Sequence, residues 1–410
     1  MEQKNMKIME KELLEQLLCL YEGSKAWISK CEVKDNFGQT DTNVYKNLYL
    51  KKKLIQVGDP SVKEAYLNLE NVYTVYRQLN RKMTEEEVDY IINYIEDYKE
   101  KINTSWIREF INNVTKDLKQ KRRVPSALGN GFSLLEKILK TLKGIDNIQG
   151  ESLSERVFSK KYLGDSKIFE GELRKRILTI IRKYYGKSLV ADKDILDDEF
   201  LLSEVGILKA KGELLIKGDL IIKLGNDTLD YHPFINGAMI DATTINEGEI
   251  EKVDTKNIVI IENKAVFNEA IQIYNKNKKH FIKSEYLKSP LFVYIGGFPG
   301  QSKRTFLGKI DDFFKAKGID PNVYFWGDID YGGIQIFLHL KKNVFDNIQM
   351  LHMDTEILEK FSDHWSNFDE KYEKKLESLY DDEKESEIKN LVKYMIDNNC
   401  WLEQEALIYT

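Results

Sequence analysis

Two kinds of hydrophobic pattern divide the chain. Through its first third, apolar residues recur at steps of three and four. In EKELLEQLLCLYEG, Leu13, Leu14, Leu17, Leu18 and Leu20 line one side of a helix that stops at Gly23. TDTNVYKNLYLKKKLIQVG (residues 40–58) and TEEEVDYIINYIEDYKEKI (residues 84–102) repeat the spacing. In the second of these, Glu87 follows Thr84 by three residues, the signature of a capping box. Residues 1–145 are predicted as a mostly helical N-terminal arm.

GIDNIQG (residues 144–150) reads as a linker, and SERVFSKKYLGDSKIFEGELRKRILTIIRKYYG beyond it predicts two helices ending at Gly186. The pattern then shortens. ELLIKG, DLIIKLGND and TLDYHPF alternate apolar and polar residues between Gly218, Gly225 and Pro233, which predicts a β-meander. Helices followed by a meander resemble a winged helix, so residues 146–250 are expected to form a DNA-binding domain. After Thr255, NIVIIEN, PLFVYIGG, NVYFWGD and NIQMLHM alternate with the helix-period stretches AVFNEAIQIYNK, KRTFLGKIDDFFKAKG and GGIQIFLHLKK. Strand and helix in alternation predict an α/β domain over residues 251–410, with a parallel sheet whose functional residues gather at the carboxyl ends of the strands. The expected fold is mixed α+β and multidomain.

Composition narrows the class. A chain of 410 residues is too long for one typical core, and 42% apolar with 31% charged residues is the balance of an ordinary soluble protein. Cys19, Cys31 and Cys400 form no CxxC pair, which supports neither a disulfide framework nor a thiolate zinc site and fits a reducing cytoplasm. No run of about eighteen apolar residues suggests a membrane span, and acids among the first apolar residues argue against a signal peptide. The net charge of −5 hides two basic stretches. Residues 116–144 hold eight Lys/Arg against two acids, including KQKRR (Lys119, Lys121, Arg122, Arg123), and residues 263–309 hold nine against two. Such stretches suit one face that meets a polyanion, or two solvated helix faces.

The candidate chemistry lies in YFWGDIDYGG. At a strand end, residues i and i+2 point the same way, so Asp328 and Asp330 are predicted to project together while Ile329 turns inward. Two carboxylates in one small volume repel unless a cation neutralises them, and hard oxygens suit Mg²⁺ or Mn²⁺. Gly332 and Gly333 allow close backbone approach and open a helix whose N-terminus would favour phosphate. Glu262 closes the first strand of the same unit and supplies a third carboxylate for proton transfer or metal binding. Read singly, DxD is as readily a surface pair and Glu262 a solvated or capping residue. The histidines offer no rival: His232 precedes Pro233, His280 sits in a basic run, His339 falls on a helix, and no HExxH occurs.

A Glu closing the first strand of a βαβαβ unit, with DxD closing a later one, resembles the Toprim domain of topoisomerases and primases. More narrowly, VIIENKAVF, YFWGDIDYGGIQIF, the terminal WLEQEAL and LSERVFSKKYLGDSKIFE resemble the JetD family, nuclease subunits of Wadjet anti-plasmid systems related to the topoisomerase VI A subunit. The resemblance covers roughly residues 150–410 and implies a winged-helix, CAP-like middle domain before a C-terminal Toprim domain. It implies catalytic and metal roles for Glu262, Asp328 and Asp330, and carboxylates of Glu403 and Glu405 approaching the same site. Gly296, Gly297 and Gly300 would shape a loop over the metal, with Lys303 and Arg304 placed for phosphate. Topoisomerase VI-like proteins attack DNA with a tyrosine. Tyr162, Tyr184 and Tyr185 lie where one would sit, but core or surface roles suit them, so hydrolysis by metal-activated water is expected.

The implied activity is cleavage of double-stranded DNA by a homodimer served by an SMC–kleisin motor. Two alternatives stay open: a non-catalytic DNA-binding subunit of such a complex, and a DxD glycosyltransferase that would leave Glu262 and the basic stretches without a role. The acidic run DDEKESE (residues 381–387) could mask a basic groove or form a solvated helix face.

Overall fold

A computed structural model describes residues 2–23, 32–33, 48, 52, 54–57, 65–148, 152–186, 189, 196–208, 214–276 and 289–408. They fall into two compact units, Met1–Tyr185 and Gly186–Thr410.

The first unit opens with α1 (Glu2–Gly23), whose Leu13, Leu14, Leu17 and Leu18 are buried as the periodicity requires. A small antiparallel sheet follows, β1 (Glu32–Val33), β2 (Ile55–Val57) and β3 (Ala65–Leu67), in the order β1-β3-β2. Among the described residues six further α-helices follow: α2 (Val72–Leu79), α3 (Glu85–Glu100), α4 (Ser105–Lys121), α5 (Phe132–Ile148), α6 (Glu155–Leu163) and α7 (Arg174–Tyr184). Thr84 and Glu87 form the expected capping box at the start of α3. The helix expected over residues 40–58 is corrected at its end: Ile55 to Val57 pair with Leu67 to Ala65 as strand. Most of that stretch, His280, Cys31 and the end of the expected linker lie outside the described residues.

In the second unit, α8 (Asp198–Glu204) precedes a six-stranded sheet. The strands of its two larger sheets, among the described residues and in chain order, are β4 (Leu214–Lys217), β5 (Leu220–Leu224), β6 (Asp227–Asp230), β7 (Ala238–Ile240), β8 (Glu249–Val253), β9 (Asn257–Ile261), β10 (Leu291–Tyr294), β11 (Asn322–Trp326) and β12 (Gln349–Met350). Strand order in the large sheet is β12-β11-β9-β10-β4-β7. Strands β9 to β12 pair in parallel, as expected, but β4 joins β10 and β7 joins β4 antiparallel. The expected meander is therefore divided. Its run β5 pairs with β6 on one side and β8 on the other in a separate antiparallel sheet, while ELLIKG extends the large one. Gly218 marks the parting, since a side chain there would meet the backbone of Leu291 at 3.0 Å.

Ile258, Val259, Ile260 and Ile261 of β9 are all fully buried, as in a strand covered on both faces. Helix α9 (Ala242–Glu247) comes before it, and α10 (Lys264–Asn275), α11 (Gln301–Ala316) and α12 (Tyr331–Asn343) connect the parallel strands. The chain leaves β9 for β10 on one side and later reaches β11 on the other. The carboxyl ends of β9 and β11 thus flank a topological switch point, where open α/β sheets leave a crevice. Helices α13 (Thr355–Lys360), α14 (Glu370–Asp382) and α15 (Ser386–Asn398) lead to the terminal segment. Among the described residues no helix is long and apolar enough to cross a membrane.

Candidate active site

Glu262 follows β9 directly, and Asp328 stands two residues beyond β11. The last ladder bond between these strands runs from the Glu262 N–H to the Trp326 carbonyl at 3.0 Å, so both acidic residues emerge where pairing ends. The Asp328 N–H then donates to Glu262 Oε2 at 3.2 Å. Gly327 makes the approach possible, because a Cβ there would lie 2.6 Å from Glu262 Oε2. Ile329 is buried, as the alternation predicts.

Asp330 is the N-cap of α12, its Oδ1 accepting the Gly333 N–H at 2.6 Å. A Cβ on Gly333 would come within 2.2 Å of the Asp328 carbonyl oxygen, so that position requires glycine. The Tyr331 N–H is taken by the Tyr372 hydroxyl of α14 at 2.8 Å. The phosphate site expected at this helix N-terminus is consequently filled from within, by a carboxylate and a phenol. An added anion would meet the Asp330 charge where the helix dipole would otherwise attract it.

Proton affinity is raised across the cluster. Burial, reinforced by the charges of Asp328, Asp330 and Glu405, pushes the Glu262 carboxyl up to about 8. Asp328 is pushed up to about 6, chiefly by burial, although the hydrogen bond from Gln404 opposes the shift. Burial also raises Asp330 against its hydrogen bonds from Gly333 and Gly332. Among the described residues, no three His, Cys, Asp or Glu side chains are drawn together into a ready metal cage. The donor set nevertheless suits a hard divalent cation, which would offset the burial of charge and the lesser mutual repulsion behind these shifts. Glu262, Asp328 and Asp330 are the residues that could hold it.

The terminal segment reaches the same place. Ile329 and Leu402 exchange backbone hydrogen bonds of 2.9 and 3.1 Å. Glu405 accepts from the Asn263 amide group, and Glu403 is exposed. Between them Gln404, 0% exposed, donates its backbone N–H to Asp328 Oδ1 at 2.7 Å. Gln404 and Tyr372 are site residues that the sequence reading missed. The one signal was the position of Gln404 inside WLEQEAL.

The basic residues are engaged in their own units. Arg304 forms a two-pronged ion pair with Glu204, at 2.7 and 2.9 Å, and also bonds to the Pro299 carbonyl. Lys303 donates to the Ile295 carbonyl. Gly296 and Gly297 turn with φ of 60° and 74°, and Ser203 lies against Gly300. In the first unit, Arg122 Nε bonds to the Met83 carbonyl at 2.8 Å, and Arg123 holds the backbone of Asn80 and Arg81. Lys119 is exposed, and Lys121 pairs with Asp117. His339 packs edge-on between Phe200 and Phe298, where burial lowers it to about 4. Tyr162, Tyr184 and Tyr185 pack against Phe158, Phe110 and Trp106. Glu385 of the acidic run pairs with Lys341 at 2.7 Å.

Fold and site together define an α/β domain that carries acidic side chains at the switch point of a largely parallel sheet. Residues 223–410 match the family described as Wadjet protein JetD, C-terminal. A Bacillus cereus (strain Q1) protein named Wadjet protein JetD is 27% identical over 367 residues, spanning 88% of this chain and 83% of that protein. The chain is thus similar to the JetD family, through its C-terminal part in the family match and through most of its length in the relative.

Proposed function

We propose that this chain is a Toprim-type, metal-dependent endonuclease that hydrolyses double-stranded plasmid DNA within a Wadjet anti-plasmid system. The observation that carries the reading is the gathering of Glu262 and Asp328, with Asp330 beside them, at the carboxyl ends of neighbouring parallel strands. Their raised proton affinities are what a cation-binding acidic cluster has before it is loaded. Mg²⁺ or Mn²⁺ held by these residues would supply Lewis-acid stabilisation of charge on a scissile phosphate. Glu262, with a proton affinity near neutrality, suits transfer of a proton from attacking water or to the departing oxygen. Glu405 and Glu403 add negative charge at the rim. Cutting both strands calls for two such sites and hence a homodimer, and the Wadjet resemblance supplies an SMC–kleisin motor as the partner that delivers DNA.

The test is nicking and linearisation of supercoiled plasmid with Mg²⁺ or Mn²⁺, alone and with the motor complex, beside Asp328→Ala and Glu262→Ala. Metal-dependent cutting lost in both variants is the expected result. The non-catalytic, DNA-binding reading has one observation in its favour: Asp330 already serves as a helix cap. It would prevail if DNA binding persisted while cutting stayed absent under every condition, motor included.

A further inference from the structure

Beyond Ile261 and Trp326 the ladder between β9 and β11 ends with the Glu262 N–H on the Trp326 carbonyl, and the Asn263 N–H just past it needs another partner. One side chain meets that N–H and adds a second donor to the carbonyl. Gln404 Oε1 accepts the Asn263 N–H at 3.1 Å, and Gln404 Nε2 donates to the Trp326 carbonyl at 2.8 Å. Asn263 adjoins Glu262, and Trp326 stands two residues before Asp328. The amide thus acts like the next peptide of a ladder, inserted between the two strands as they separate. Its own backbone N–H goes to Asp328 Oδ1 at 2.7 Å, so one residue touches both loops and one carboxylate.

Only an amide meets this requirement, since the position needs an acceptor and a donor on one short planar group. A carboxylate lacks the donor, and an apolar side chain leaves the part-buried Asn263 N–H without this acceptor and takes from the Trp326 carbonyl the second of its two bonds. The segment is held in register by the Ile329–Leu402 bridge and by Ser366 and Trp401, which exchange backbone bonds of 3.0 Å each. Glu405 secures Asn263 a second time, through its side chain.

We infer that the terminal segment is a working part of the acidic site and that Gln404 is a positioning residue, setting the spacing between Glu262 and Asp328. The consequence for cation binding rests on the function proposed above, whereas the bridging role does not.

Two measurements on the full chain separate them. Hydrogen exchange followed by mass spectrometry reads peptides covering residues 257–268 and 322–334. Calorimetric titration with Mn²⁺ alone reads affinity, and near-UV circular dichroism verifies the fold. Gln404→Met keeps the volume and removes both side-chain bonds. It is expected to speed exchange in both loops and to weaken Mn²⁺ binding by about 10–100-fold, the usual effect of losing a group that orients metal ligands. Gln404→Glu keeps the acceptor, so it should loosen residues 322–334 more than 257–268; this arm serves if the Met variant fails to fold. Unchanged exchange in both loops overturns the inference. Faster exchange with unaltered Mn²⁺ affinity overturns the positioning role and leaves a merely structural bridge. If the parent chain binds no Mn²⁺, the metal reading fails by itself, and the bridge stands or falls on exchange.

Discussion

The backbone N–H of Asp328 donates to Glu262 Oε2 at 3.2 Å, so the chain ties together two residues whose charges repel. The bond lowers the proton affinity of Glu262, yet burial and the neighbouring carboxylates outweigh it. A protonated or metal-bound Glu262 fits this environment, and a bare carboxylate strains it.

Stability without metal should therefore fall as pH rises. A carboxyl held at about 8 in the folded state, against an ordinary 4.5, binds more protons folded than unfolded within that window. Its contribution is complete below about 4.5 and is lost through pH 8, with a slope of at most about 1.4 kcal/mol per pH unit for one proton. His339, lowered to about 4, acts with the opposite sign below its ordinary 6.5. Because Glu262→Gln retains His339, that term cancels in a comparison. Melting in EDTA from pH 5 to 9 should show the parent losing stability relative to the variant, and a constant difference would refute the assignment.

Asp330 has two separable roles. As N-cap it accepts the Gly333 N–H, and Asp330→Ala should cost about 1 kcal/mol of stability. Asn preserves a cap acceptor while removing the charge. Urea unfolding should find Asp330→Asn close to the parent, while plasmid cutting stays lost in both variants. Restored cutting in the Asn variant would reduce Asp330 to a cap.

Arg304 is predicted to act on the fold rather than on phosphate. Its partner Glu204 is only 3% exposed, so Arg304→Ala leaves a carboxylate buried and unpaired, at about 2–4 kcal/mol. Arg304→Lys should recover part of this, because an ammonium cannot reproduce the two-pronged contact. Chemical denaturation checks the loss. A stable Arg304→Ala chain with weakened DNA binding would restore the phosphate role.

The alternation of strand and helix after Thr255 was legible because each strand is a short, β-branched run closed by a turn, and because Glu262 and Asp328 stand where such runs end. What escaped was decided by distant partners. Arg304 beside a glycine-rich loop looks like a phosphate ligand until Glu204, 100 residues earlier, takes its guanidinium. Gln404 reads as a polar residue between two acids, and its burial depends on Asn263, 141 residues away. Leu214 to Lys217 read as meander, yet their pairing was settled by Phe292 to Tyr294. Ile55 to Val57 sit within a helix-period stretch, but their β-branched ends pair with β3.

Tyr372 supplies the last prediction. Its hydroxyl accepts the Tyr331 N–H at 2.8 Å, at the first turn of the helix that Asp330 caps, and its ring stacks on Phe368 with centroids 5.4 Å apart. Burial and the charge of Asp330 raise its phenol, so it stays protonated throughout the working pH range. Tyr372→Phe keeps the stacking but leaves a partly buried N–H without an acceptor, which should cost about 1–3 kcal/mol. Exchange of the Tyr331 amide should quicken while Tyr372→Leu, which also loses the stacking, destabilises further. Equal stability of the Phe variant and the parent would mean that water takes over the bond, and the phenol would then have no part in holding the helix start beside Asp330.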